Sequence, residues 1–244
     1  METDHLTMLR DEGARYLAVV DRGPLDAPVA ACPGWDLRAL AGHLVWVHRW
    51  ARAVVEAGAP VERDAVGEAA ADDDGLRRDA HDAFDALVAT FARLDPSTPT
   101  WHVWRAEPVV GTWARRQAHE LLVHRVDAEL AVGIEPVVAP ERAASGIDEY
   151  FDLVVPRKVG RDGAVLPEGT LHVHCTDTEG EWLVRTGADG AYELTREHAK
   201  GDAAWRGPAA DILLALWGRR PAAGVGEVFG DRAFAQRWLA VGGT

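Results

Sequence analysis

Apolar residues recur at helical spacing in four stretches of the first half of the chain. Leu6, Leu9, Gly13, Tyr16, Leu17 and Val20 share one face, and Gly23 is a stop signal. After the turn-forming Pro33-Gly34, Asp36 is placed to cap a second helix with Leu37, Leu40, Leu44, Val47, Ala51 and Val54 along its face. Residues 57–75 are polar, end in a run of three aspartates, and read as a solvated loop. A third helix carries Leu76, Ala80, Phe84, Leu87, Phe91 and Leu94. A loop with Pro96, Pro99, Trp101, Trp104 and Pro108 then leads to a fourth, from the capping residue Thr112 to Gly133. Pro140 opens one more helix, with Ile147, Tyr150, Phe151 and Val154, and Pro156 is expected to end it.

The pattern changes after residues 157–168, a Gly-rich, charged stretch that reads as a linker. Alternation over Thr170–Thr176, Glu181–Arg185 and Ala191–Thr195 predicts strands, with turns at Asp177–Gly180 and Asp189-Gly190. Gly207-Pro208 starts a helix with Ile212, Leu213, Leu216 and Trp217 inward, stopped by Gly218. A last short helix carries Phe234, Trp238 and Leu239. The expected class is therefore α+β: a four-helix bundle over residues 1–156, then a small α+β domain with an antiparallel sheet over 157–244.

Composition narrows the functional classes. The 244 residues suffice for a real core, and 48% hydrophobic with 27% charged residues is the balance of a globular protein. The net charge of −13 argues against general nucleic-acid binding, which needs a basic face to displace counterions. Two cysteines make no disulfide framework. The N-terminus lacks the basic and apolar regions of a signal peptide, and no stretch is long and apolar enough for a membrane span. A cytoplasmic protein, monomer or weak homodimer, is expected. Of the 26 basic residues only Lys158 and Lys200 are lysine, a bias that points to a GC-rich coding sequence.

Polar residues on apolar helix faces carry the candidate chemistry. His43 lies three residues after Leu40 and four before Val47, on the inner face of the second helix; His48 is rotated by about 140° and should not share a site with it. On the fourth helix, Glu120 and His124 lie one turn apart beside Leu121 and Ala128, with Asp127 at the edge of that stripe. A buried carboxylate and imidazole need a partner. Either Arg116, one turn earlier, pairs with Glu120, or a divalent metal is shared with His43. His119, Glu120 and His124 form HExxxH rather than HExxH, so the zinc-protease geometry fails. His172 and His174 share a strand face, but no third ligand stands nearby and Cys175 points the other way; an exposed strand face is the simpler reading. Cys32 has no visible base and reads as an inert thiol.

Three motifs are similar to one family. Pro33-Gly34-Trp35-Asp36-Leu37 leading to Gly42-His43-Leu44, the helix Arg115 to Glu129, and Gly207-Pro208 through Asp211 to Pro221 together resemble the mycothiol-dependent maleylpyruvate isomerase family, whose bundle is of the DinB/YfiT-like metalloenzyme type. The resemblance spans nearly the whole chain. It implies a zinc site of His43, Glu120 and His124, and an arginine from the C-terminal domain near that site. Arg219 is the residue assigned here, with Arg220 and Arg232 as the other candidates.

Three protein ligands leave zinc's fourth position for a thiol, deprotonated by the metal. The resemblance implies mycothiol, an actinobacterial thiol, as that cosubstrate. In the family's isomerase the thiolate adds to a cis double bond, and rotation and elimination give the trans isomer. An arginine would hold the substrate carboxylate, and Asp127 would either orient a ligand or pair with a surface arginine. Trp46, Trp50, Trp101 and Trp104 either wall the cleft or fill core. A small-molecule substrate with a thiol partner is expected, in an isomerase or S-transferase reaction. The alternative is a non-catalytic metal-binding or regulatory protein of the same fold. For an anionic substrate, the metal and the arginine must reverse the local field of an acidic chain.

Overall fold

The computed structural model describes residues 4–161, 163–188, 190–222 and 224–240. The chain forms two compact units: the chain up to Val103 with Glu107–Val137, and Trp104–Ala106 with the chain from Val138 onward. The helix that begins at Pro140 therefore goes with the second unit, rather than with the first as a boundary at 156 requires.

The first unit holds α1 (His5–Arg22), α2 (Leu37–Ala57), α3 (Asp73–Arg93) and α4 (Val110–Ala131). Both α1 and α2 pack on α3 and α4. Side-chain caps set three of the starts. Asp4 accepts from the Leu6 and Thr7 amides, Asp36 from Ala39, and Asp72 from Gly75. The aspartate run is thus not a solvated loop. Asp72 caps α3, and Asp73 and Asp74 occupy its first turn, where negative charge suits the helix dipole. Thr112 is not a cap either: α4 begins two residues earlier, and the Thr112 hydroxyl donates to the Glu107 carbonyl at 2.7 Å.

Helix α4 is buried on nearly every side, polar residues included. Arg125, fully buried, pairs with Glu12 of α1 at 2.8 Å and with Glu129 at 2.6 Å, while Arg15 reaches Glu129 at 2.9 Å. Gly13 lets α1 approach α3, because a Cβ there would meet the Phe84 ring at 2.0 Å.

In the second unit, α5 (Pro140–Glu149) continues through a π-helical turn, Tyr150–Val154, into α6 (Val155–Arg161). Pro156 therefore does not end the helix. The Val155 amide bonds back to the Tyr150 carbonyl, and this wider turn absorbs the ring and missing N–H of the next residue. Of the expected 157–168 linker, residues 163–168 are left outside helix.

Among the described residues five strands follow: β1 (Gly169–Cys175), β2 (Glu181–Thr186), β3 (Tyr192–Thr195), β4 (Ala203–Gly207) and β5 (Glu227–Gly230), with α7 (Ala209–Leu216) and α8 (Arg232–Ala240). Their order is β3-β2-β1-β4-β5, antiparallel except for the parallel β1–β4 pair. The α+β class holds, with a mixed sheet of mostly antiparallel pairs. Strands β4 and β5 are short and lack the β-branched run that marks a strand in sequence. Gly190 has φ +79° in the expected turn after β2, while Asp189 lies outside the described residues. Leu171, Val173, Trp182, Val184 and Trp205 share the buried sheet face, on which Trp182 meets Asp148 and Phe151 of the preceding helix.

Candidate metal centre

The segment before α2 positions the first candidate ligand, His43. The Trp35 amide closes a turn onto the Cys32 carbonyl at 2.9 Å, with Pro33 and Gly34 at its centre. Gly34 has φ +83°, the conformation that the third position of a type II turn demands. The turn delivers Asp36 as cap and sets the Trp35 ring 5.1 Å from the ring of His43.

Helix α4 supplies the other two. Glu120 Oε1 lies 3.3 Å from His43 Nε2 and 3.4 Å from His124 Nε2. The other oxygen, Oε2, accepts from Arg116 at 2.7 Å. The two solutions open at the sequence level thus coexist on the two oxygens of one carboxylate. All three donor atoms lie within 4.8 Å of one another. Bonds of about 2.0–2.1 Å in a tetrahedral site separate ligand atoms by about 3.4 Å. The two distances to Glu120 match that edge, so the donor set fits a zinc-like divalent ion.

The surroundings hold this donor set in place. His124 Nδ1 donates to Asp127 Oδ2 at 2.8 Å, and the Asp127 side chain is fully buried. This orients the ring with Nε2 toward Glu120. Burial alone would raise the Glu120 pKa, but Arg116 and the hydrogen bonds from His124 and His43 outweigh it and hold the carboxyl well below its usual range. For His124, burial alone would lower the pKa, but the bonds to Asp127 and Glu120 raise it to about 9. Asp127 also faces the Cys32 thiol at 3.9 Å, so Cys32, His124 and Asp127 form a second donor set that competes for the same imidazole. The Nδ1–Asp127 hydrogen bond favours Nε2, and hence the set with His43.

Other residues fall elsewhere. His48 is buried on another side of α2, tilted against Phe84 with ring centres 5.9 Å apart, and its Nε2 has no hydrogen-bond partner among the described residues. Burial pushes its pKa down to about 4. His119 is buried edge-on to His5. Trp46 and Trp50 stack on each other and donate to the Arg63 and Val61 carbonyls, so they pin the α2–α3 connection. Trp50 also meets Trp113, whose indole donates to the Trp101 carbonyl. Trp104 lies in the second unit.

Arg219, Arg220 and Arg232 all belong to the second unit, where they line one open groove of about 900 Å³ with Val225, Phe229 and Leu239. Arg219 donates to the Trp217 carbonyl at 2.7 Å, and Arg220 pairs with Asp211. The sequence gives no hint of the Arg125–Glu12 contact, because it joins residues 113 positions apart.

Residues 6–129 match the mycothiol maleylpyruvate isomerase N-terminal domain, and residues 141–237 match the C-terminal domain of the same family. The chain belongs to the mycothiol maleylpyruvate isomerase family. Among solved structures, a mycothiol-dependent maleylpyruvate isomerase aligns over 92% of this chain and 91% of its own, at 13% identity and a TM-score of 0.62. A histidine-to-alanine mutant of the mycothiol-dependent maleylpyruvate isomerase aligns over 92% and 93%, at 14% identity and the same score. At such identities the likeness concerns the fold. No curated protein matches the chain. Among the described residues, no helix is long and apolar enough to cross a membrane.

Proposed function

We propose that this member of the mycothiol maleylpyruvate isomerase family is a zinc-dependent, mycothiol-using isomerase or S-transferase. The observation that carries the reading is the placement of two imidazole Nε2 atoms 3.3 and 3.4 Å from one carboxylate oxygen. His43, Glu120 and His124 would hold the zinc, and the ion would supply the positive charge that deprotonates a thiol at neutral pH.

The chain's own residues do the rest. Arg116 holds Glu120 in place through Oε2 and leaves Oε1 facing the imidazoles. Asp127 takes the Nδ1 hydrogen of His124 and so makes Nε2 the nitrogen that faces Glu120 and would take the ion. Arg219, which the family resemblance implies, is proposed to hold a substrate carboxylate. Addition of the thiolate to a cis double bond, rotation, and loss of the same thiolate would exchange the isomers with no net use of thiol. A transferase would retain the new thioether.

The test is turnover of maleylpyruvate and a panel of small electrophiles by the purified protein, with and without mycothiol. Thiol-dependent turnover is expected, lost in His43→Ala and with raised KM in Arg219→Gln. No thiol-dependent turnover across the panel would leave a non-catalytic metal-binding protein. Retained free thiol marks the isomerase, and thioether accumulation marks the transferase.

A further inference from the structure

The sheet of the second unit carries a second cluster of metal-binding side chains. Strand alternation puts His172 and His174 of β1 on the face opposite Leu171, Val173 and Cys175. The β1–β2 register sets Glu181 directly across from His174, hence on the same face. The chain leaving β3 turns back over this face and brings His198 to it. The His198 ring stands edge-on to His172 with centres 5.3 Å apart, and 6.4 Å from His174.

One carboxylate faces all three imidazoles and bonds two of them. Glu181 lies 2.5 Å from His174 Nδ1, and both its oxygens lie within 3.1 Å of His198 Nδ1. Its Oε2 is 3.8 Å from His172 Nε2, beyond hydrogen-bond reach. His172 Nε2 is left buried with no hydrogen-bond partner among the described residues, and only 8% of that side chain is exposed. A shared carboxylate accounts for His174 and His198. It does not account for a buried imidazole nitrogen aimed at the same oxygens and bonded to neither, which costs the desolvation of that group.

An ion resolves this. The ligand atoms of His172, Glu181 and His198 lie within 4.8 Å of one another. We propose that these three residues bind a divalent transition metal ion, with His174 as a positioning residue that holds Glu181. Two imidazoles and a carboxylate suit zinc, copper or nickel and are poor ligands for magnesium or calcium. The His198 side chain is 81% exposed, so the site opens to solvent and keeps a position for water. Its ligands come from β1, from β2 and from the segment after β3, so the ion ties that segment down to the sheet. All of them lie in the second unit, and the inference does not depend on the centre built by His43, Glu120 and His124.

The test separates the two sites. Full-length protein stripped of metal is titrated with Zn²⁺, and with Co²⁺ for its visible absorption. In a Glu120→Ala/His124→Ala background one ion per chain is expected, and adding His198→Ala removes it. In the otherwise wild-type chain, His198→Ala alone, an exposed change that leaves the fold intact, lowers the stoichiometry by one ion, whereas a His81→Ala control does not. His174→Gln weakens binding by about 10–100-fold without changing the stoichiometry. The proposal is overturned if the Glu120→Ala/His124→Ala chain binds no ion, or if its ion survives His198→Ala combined with His172→Gln.

Discussion

Asp127, whose carboxylate has no exposed surface, accepts at Oδ2 a 2.8 Å hydrogen bond from His124 Nδ1, three residues earlier on the same helix. That bond chooses which nitrogen of His124 faces Glu120. Asp127→Asn keeps the shape but can turn its amide donor toward the ring and favour the wrong tautomer. Metal affinity is expected to fall by about 10–100-fold, with stoichiometry restored at saturating ion. Competition with a chromophoric chelator measures it, and unchanged affinity would reduce Asp127 to a packing residue.

The Arg125 network is a second point of leverage. Removing the guanidinium leaves Glu12 and Glu129 as buried carboxylates that have lost a partner. Arg125→Met is expected to destabilise by about 3–5 kcal/mol, the range for breaking a buried pair from one side. Urea unfolding of the two proteins checks it, and a loss under about 1 kcal/mol would mean that the network is effectively solvated.

How much of this is legible in sequence depends on how far apart the partners lie. Glu120 and His124 sit one turn apart among apolar neighbours, so helical periodicity alone turns them inward together, as it does His43 on the second helix, and the family motifs join the three into one expected metal site. The cap role of Asp72 was hidden because an acidic run looks the same whether solvated or ending a helix. Pro156 is a helix breaker by local rules, and the π turn that absorbs it leaves no mark in the pattern. His172 and His174 are visible as a strand pair. The partners of His172 in the proposed site are not, because Glu181 comes to that face through the strand register and His198 through the return of the chain after β3.

Gly13 and Phe84 allow a packing test. A Cβ at position 13 would stand 2.0 Å from Phe84 Cζ, so Gly13→Ala must displace the ring. The expected cost is about 1–3 kcal/mol despite the better helix propensity of alanine. In a Phe84→Leu background the atoms in the way are gone, and the same change should cost at least about 1 kcal/mol less. Additive effects in this double-mutant cycle would show that the clash relaxes elsewhere.

His48 links stability to pH. Its folded-state pKa is depressed to about 4, against about 6.5 when unfolded, because burial disfavours the imidazolium. Its contribution is therefore complete above about pH 6.5 and is lost as pH falls from there toward 4, a change of about 3 kcal/mol. His48→Gln, which does not titrate, should flatten the unfolding free energy over that window relative to wild type. Parallel pH profiles for the two proteins would show that His48 is solvated or protonated in the fold.

His43, Glu120 and His124 are proposed to hold a divalent ion. The most direct measurement is metal content per chain after zinc loading and removal of excess, made in a His198→Ala chain so that the sheet cluster does not contribute. One zinc per chain is predicted, falling to none when Glu120→Ala and His124→Ala are added. Equal zinc in the two proteins would mean that Glu120 and His124 hold no ion.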